Sequence, residues 1–298
     1  IQFTKGGNYF SLYLNQIGYY DIDLSNQDPA QPTLDDSLQF NERKTQFGLP
    51  VLVSGDDKYW FQPQELKLLR TDLNDPFYCE GAEQILQDGA PRLGGFVSQD
   101  QEVFAIRDNA LWLWETETGK TVNTLQSESH ITTVAMMDQP SSLFIGDASG
   151  TFQVWNWQTN ENKTIHPFDV SILFIKQLNN QQVVVVLSNG EIDIIDIGNG
   201  SILQQYTLKD ETLHQEAIAF LPSKNYLFLK NNVLDLTKQK WLNPFAYPDM
   251  QNTQIDKLCI SPDEKWIAMR TEDGKVRLWD ANRILDVVST TSDFHLYQ

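Results

Sequence analysis

The sequence predicts an all-β fold in which a small four-stranded antiparallel sheet is repeated seven times along 298 residues. Three observations predict it. Residues 261–280 read as turn, strand, tight turn, strand, and the same plan recurs upstream at near-regular intervals. The apolar runs are strand-sized, the longest being Val183-Val184-Val185-Val186-Leu187, so none approaches the ~20 residues that span a bilayer. No stretch of useful length shows the 3.6-residue periodicity of an amphipathic helix.

The clearest repeat shows why each element forms. Pro262 fixes φ and Asp263 can bond its own backbone, so Ser261-Pro262-Asp263-Glu264-Lys265 presets a turn. Trp266-Ile267-Ala268-Met269 follows as a strand, and Asp273-Gly274 supplies a two-residue hairpin turn needing φ > 0. In Lys275-Val276-Arg277-Leu278-Trp279-Asp280, Val276 and Leu278 share one face and Arg277 and Trp279 the other.

Taking Trp279 as the anchor, equivalent positions are Tyr20, Leu69, Trp114, Trp155, Ile195 and Leu234. The first unit places strands at 1–4, 9–14 and 17–23, with Tyr20-Asp21 as anchor pair. The second, the most degenerate, has strands at 49–53, 59–62 and 65–71, with Gly55-Asp56-Asp57-Lys58 as a turn. The third has strands at 92–97 and 102–106, then Leu111-Trp112-Leu113-Trp114-Glu115, the turn Thr118-Gly119-Lys120, and an outer strand at 122–125. The fourth, fifth and sixth repeat the plan, with turns at Asp147-Ala148-Ser149-Gly150, Asn189-Gly190 and Asn231-Asn232; the seventh ends on an outer strand at 285–289. From Trp114 onward the anchors stand 41, 40, 39 and 45 residues apart. A sheet this small cannot bury both faces alone, and stacking between two neighbours solves the problem.

The Trp279-Asp280 dipeptide, the Asp-Gly hairpin before it and the period of roughly 40–45 residues resemble WD40 repeats, strongly over 92–283 and weakly before. The resemblance implies a single seven-bladed β-propeller over 1–298, with blades near 1–40, 41–80, 81–127, 128–166, 167–209, 210–247 and 248–298. No strand is obviously shared between the two ends, so the first and seventh blades are expected to meet by face packing. The chain opens at Ile1 in strand-like sequence, so it is expected to be one part of a larger protein; the cytoplasm is the favoured location. The family's polar network of turn Asp, entry His, second-strand Ser/Thr and anchor Trp is broken: Asp273 and Trp279 meet Met269, His130 and Trp155 meet Ile145 and Ser149, and His214 meets Leu234. The blades are therefore expected to hold by apolar packing.

The chain carries 40 acidic and 22 basic side chains, a formal net charge of −18. Such a surface repels phosphate backbones and anionic lipid, which disfavours nucleic acid and membrane surfaces as partners. It serves solubility, and it is also compatible with a cationic partner or an acid-rich working face. Cys79 and Cys259 have no second Cys or His at metal-ligand spacing, so both read as buried or semi-buried thiols. His130, His166, His214 and His295 do not assemble with a nucleophile and an acid into a catalytic set. The acidic pairs Asp56-Asp57 and Asp263-Glu264 read as solvated turns. No catalytic residue, metal or cofactor is expected. An enzymatic or ligand-binding propeller of the quinoprotein kind, using its central channel, is the alternative; the Glu115-Thr116-Glu117-Thr118-Gly119-Lys120 turn resembles that group, but the Trp expected after it is replaced by Thr121-Val122-Asn123.

The resemblance implies an interaction or sensor platform with a protein partner at the face of the middle turns and inter-blade loops. Arg107, Asp108, Asp147, Lys230, Arg270 and Glu272 fall at that face. The inter-blade loop Asn243-Pro244-Phe245-Ala246-Tyr247-Pro248 adds two aromatics between prolines, which lowers the entropy cost of presenting them. Packing of Phe245 and Tyr247 onto the sixth blade is the competing reading. Loops at 41–48 and 80–91 are the other long ones.

Overall fold

The structure, a computed structural model, describes residues 2–3, 9–14, 18–23, 40–43, 52–54, 58–71, 75–139, 141–208, 213–242, 254–272 and 276–281. The fold is all-β and antiparallel, built as successive sheets in which each strand pairs with its neighbour in the chain. It divides into two compact units, one of residues 1–46 with 213–298 and one of 47–212.

In chain order the strands are β1 (Gln2–Phe3), β2 (Tyr9–Leu14), β3 (Gly18–Asp23) and β4 (Phe40–Arg43) in the first sheet, and β5 (Leu52–Val53), β6 (Tyr59–Gln62), β7 (Lys67–Arg70) and β8 (Asp75–Tyr78) in the second. A helix α1 (Ala82–Gln87) follows. The third sheet holds β9 (Leu93–Val97), β10 (Glu102–Arg107), β11 (Ala110–Glu115) and β12 (Thr121–Gln126). The fourth holds β13 (Ile131–Met136), β14 (Ser142–Asp147), β15 (Thr151–Asn156) and β16 (Glu161–Pro167). The fifth holds β17 (Ile172–Gln177), β18 (Gln182–Leu187), β19 (Glu191–Asp196) and β20 (Ile202–Thr207). The sixth holds β21 (Ile218–Leu221), β22 (Tyr226–Leu229), β23 (Asn232–Asp235) and β24 (Lys240–Leu242), and the last has β25 (Ile255–Ile260), β26 (Trp266–Thr271) and β27 (Val276–Asp280).

Among the described residues six four-stranded blades are complete, and the expectation of seven is corrected to six. The last sheet has three described strands; the outer strand expected at 285–289 lies outside the described residues. In the unit that contains both, β1 lies beside β25 but pairs with β2 in its own sheet.

The core sits between sheets. Phe61, Leu66, Leu68 and Cys79 of the second sheet region pack against Val103, Ala105 and Trp114 of the third. Leu111 and Leu113 pack against Ile145 and Trp155 of the fourth, and Phe144 and Phe152 against Ile175, Val185 and Ile195 of the fifth. In the other unit Phe228 and Val233 pack against Ile255, Leu258, Ile267 and Met269 of the last sheet. Val183 to Val186 are all fully buried, as a strand sandwiched on both faces must be. The outer strands are wetter: Val122, Ile202, Leu203 and Trp241 are exposed.

One local feature differs from expectation: the loop at 80–91 contains α1, too short at six residues to show a period. The turns at Ser54 and Ser261 are closed in the same way: Ser54 Oγ accepts from Tyr59 N–H at 2.9 Å, and Ser261 Oγ accepts from Trp266 N–H at 2.9 Å. Both serines are buried and both close a first hairpin.

Sheet spacing has a backbone component. Gly200 has φ 74, and a Cβ there would collide with the Ile165 carbonyl oxygen of the preceding sheet. The adjacent His166 Nδ1–H donates to Gly200 O at 2.8 Å.

Candidate functional site

The charged residues expected at one face fall in two groups, one on each unit. In the unit of residues 1–46 and 213–298, β26 ends beside the start of β25, and this end collects charge. Arg270 Nε lies 3.0 Å from both Asp256 Oδ1 and Oδ2, and Lys257 Nζ lies 3.0 Å from Glu216 Oε1. The hydrogen-bonded Asp256 carboxylate holds the Arg270 guanidinium above its ordinary range, with Glu216 adding to the attraction. Lys230, at φ 49, and exposed Glu272 flank these pairs at the same strand ends. Asn231 Oδ1 accepts from Ile255 N–H at 3.0 Å, tying the middle turn of one blade to the next blade's first strand.

In the unit of residues 47–212, Arg107 closes β10 and is 16% exposed. Its guanidinium donates to Ile85 O and to Gly89 O, meets Asp88 Oδ2 at 3.4 Å and lies 5.5 Å from the Trp112 ring. Arg107 is thus engaged in holding the end of α1. Asp108, with φ 55, lies 3.6 Å from Nδ1 of His130, whose side chain is 67% exposed. Asp147 is turned inward: it is 1% exposed, and Oδ1 accepts from Ser149 N–H, Ser149 O–H and Thr151 N–H at 3.0, 2.7 and 2.8 Å. Its carboxylate organises its own hairpin and offers nothing outward.

Phe245 and Tyr247 lie outside the described residues. Asp256, Lys257, Glu216 and Asp88 were missed by sequence reasoning. The available signal was position: near the start of β25, Lys257 stands directly across the ladder from Arg270, with Asp256 beside it at a register shift. The entry histidines do not build the family network, since His130 and His214 are exposed. Instead Trp155 Nε1 donates to Asn160 Oδ1 at 3.2 Å and Trp114 Nε1 to Glu80 O at 2.9 Å.

Burial pushes the Cys79 thiol up to about 12 and the Cys259 thiol up to about 11. Among the described residues no three His, Cys, Asp or Glu side chains group closely enough to hold a metal ion, and no helix is long and apolar enough to cross a membrane.

The family model described as WD domain, G-beta repeat (WD40) matches residues 251–280, which span β25, β26 and β27. No curated protein matches the chain. The matched repeat and the propeller-type succession of sheets support assignment to the WD40-repeat family. Propellers of this family are commonly protein-interaction platforms and typically non-enzymatic.

Proposed function

We propose that this chain, a WD40-repeat protein by its matched repeat and its successive sheets, is a non-enzymatic platform that docks a protein partner at the strand ends bearing Lys230, Arg270 and Glu272. The observation that carries the reading is the mixed-charge cluster Asp256–Arg270 and Lys257–Glu216 at that end. Charges of both signs, half-exposed and held in fixed geometry, set specificity and steer encounter. Phe245 and Tyr247, which lie outside the described residues, are given the role of apolar anchors beside that cluster. Arg107 and Asp108 form a second charged patch on the other unit; Asp147, whose carboxylate caps its turn, has no part in contact.

A pull-down from the native source identifies the partner, and affinity is then measured for two variants. Arg270→Ala with Lys230→Ala should slow association and weaken its salt dependence. Phe245→Ala with Tyr247→Ala should weaken binding by more than ~2 kcal/mol, the hot-spot scale, with the thermal midpoint nearly unchanged. Unaltered affinity in both variants places the interface elsewhere, and early unfolding of the second makes the two rings core residues.

A further inference from the structure

The acid surplus of the chain is unevenly spread. Residues 47–212 hold 23 acidic and 9 basic side chains, a formal charge of −14, whereas residues 213–298 hold 11 and 10, a charge of −1. Within that second segment lysines gather at one end of the sixth and last sheets, the strand ends opposite the Arg270 cluster. Lys224 closes the β21–β22 turn, Lys238 lies in the β23–β24 turn, Lys240 opens β24 and Lys265 precedes β26. Hydrogen bonds hold these turns side by side. Leu236 N–H donates to Asn225 O at 3.0 Å and Asn225 Nδ2–H to Thr237 Oγ1 at 3.4 Å, which joins the two turns of the sixth sheet. Ser223 N–H donates to Glu264 Oε2 at 2.9 Å, which joins them to the last sheet.

The carboxylates at this end are committed to the fold, and the ammonium groups are turned to solvent. Asp235 is 1% exposed, and its Oδ1 accepts from Lys238 N–H at 2.8 Å. Asp263 Oδ1 accepts from Ser261 O–H and Lys265 N–H at 2.7 and 3.2 Å. Glu264 holds Ser223, and Asp280 is half-buried with a partner of its own. The side chains of Lys238 and Lys265 are 61% and 68% exposed, each with one contact to a turn carboxylate, at 3.5 and 3.0 Å. Lys224 and Lys240 are exposed and make no ion pair among the described residues. Solvent therefore meets cations here, on a chain whose surplus is negative. Beside Lys240 stands Trp241, exposed on the outer strand β24, and Trp is among the residue types that carry most binding energy at interfaces.

A short chain bearing carboxylates answers both features. Its acids can meet ammonium groups that have no competing pair, and an apolar residue between them can lie on the Trp241 ring. A nucleic-acid or lipid surface answers them less well. Either extends far beyond the ~8 Å over which exposed charges act at physiological salt, and so meets the net −18 of the whole chain. We propose that the lysine-bearing ends of the sixth and last sheets, with Trp241, form a docking surface for an acidic, extended segment of a protein partner. This surface is separate from the Arg270 end and does not depend on it.

The test uses the full chain and two capped, labelled peptides, hexa-glutamate and Glu-Glu-Phe-Glu-Glu-Phe, with binding followed by fluorescence anisotropy. Lys224→Gln with Lys240→Gln should weaken binding of both peptides about three- to tenfold, the scale of two exposed ion pairs. The thermal midpoint should not move, because neither lysine makes an ion pair in the free protein. Lys163→Gln with Lys176→Gln, the same charge change at exposed residues of the other unit, should leave binding unchanged. The phenylalanine peptide should bind more tightly than hexa-glutamate, and Trp241→Ala should remove that gain. Equal affinity in the wild type and the Lys224–Lys240 variant overturns the surface. A single-stranded oligonucleotide of the same charge binding as tightly as the peptides overturns the assignment to an acidic protein segment. Self-association that the Lys224–Lys240 variant abolishes overturns it too, and gives the surface to a second copy of the chain. Arg270→Ala with Lys230→Ala should leave peptide binding intact, so failure here and failure of the Arg270 surface are told apart.

Discussion

Trp155 closes its own blade turn through Asn160: the indole Nε1–H donates to Asn160 Oδ1 at 3.2 Å, and Asn160 takes a left-handed φ of 56 to present that oxygen. The ring itself is fully buried between the third and fourth sheets. Trp155→Ala should cost about 3–5 kcal/mol as a large core deletion. Trp279 is only partly buried, so its alanine variant should cost less than that, and Trp241, 37% exposed on an outer strand, least of all. Urea unfolding of the three variants checks the order.

Asp147→Ala should destabilise by about 1–3 kcal/mol, because it strands the Ser149 and Thr151 N–H groups of a buried turn. Partner affinity per folded molecule should not change. A loss of affinity with stability intact would return Asp147 to the docking surface.

Much of this architecture is legible in the sequence, and the reasons are specific. A turn with a capping side chain leaves a local signature, so Ser261-Pro262-Asp263-Glu264-Lys265-Trp266 announces a hairpin and the anchors after Trp114 follow from it. The matching segment Ser54-Gly55-Asp56-Asp57-Lys58-Tyr59 keeps Ser, Asp, Lys and the aromatic at the same spacing but lacks the proline that presets the turn. Helix α1 is illegible because one and a half turns carry no period. The Asp256–Arg270 pair is illegible for a different reason: it depends on how β25 and β26 pair, which brings together residues 14 positions apart.

Arg107→Ala should release the end of α1, since its guanidinium bonds Ile85 O and Gly89 O and meets Asp88. Amide hydrogen exchange should quicken over residues 83–90 and stay unchanged in β14 and β18. Uniform quickening across the unit would show instead that Arg107 supports the whole stack.

The two thiols should make the protein sensitive to alkali. Burial raises Cys79 to about 12 and Cys259 to about 11, against an ordinary value of 9.0. The unfolded chain therefore loses these protons first. Their contribution to stability is complete below the unfolded pKa and falls as pH climbs toward the folded values, by up to about 1.4 kcal/mol per pH unit for the buried Cys79. Unfolding free energies compared between about pH 8 and about pH 10 should fall less steeply in a Cys79→Ala variant than in the wild type. In the folded state neither thiol should react with an alkylating reagent near neutral pH.

Gly200 gives the interface between the fourth and fifth sheets a gauge. A Cβ at Gly200 would overlap Ile165 O, so at this edge the two main chains already lie close and leave the sheets little room to draw nearer. Side chains in the apolar layer between them, Phe152, Ile175 and Ile195 among them, fill a gap whose width they do not set. A shortened side chain there leaves a void that the sheets cannot close by approaching, which puts such losses toward the upper end of the roughly 2–5 kcal/mol range for large-to-small changes. The same stop protects the stack in the other sense: loosening the apolar layer changes how well the gap is filled, while the pitch from one blade to the next is kept.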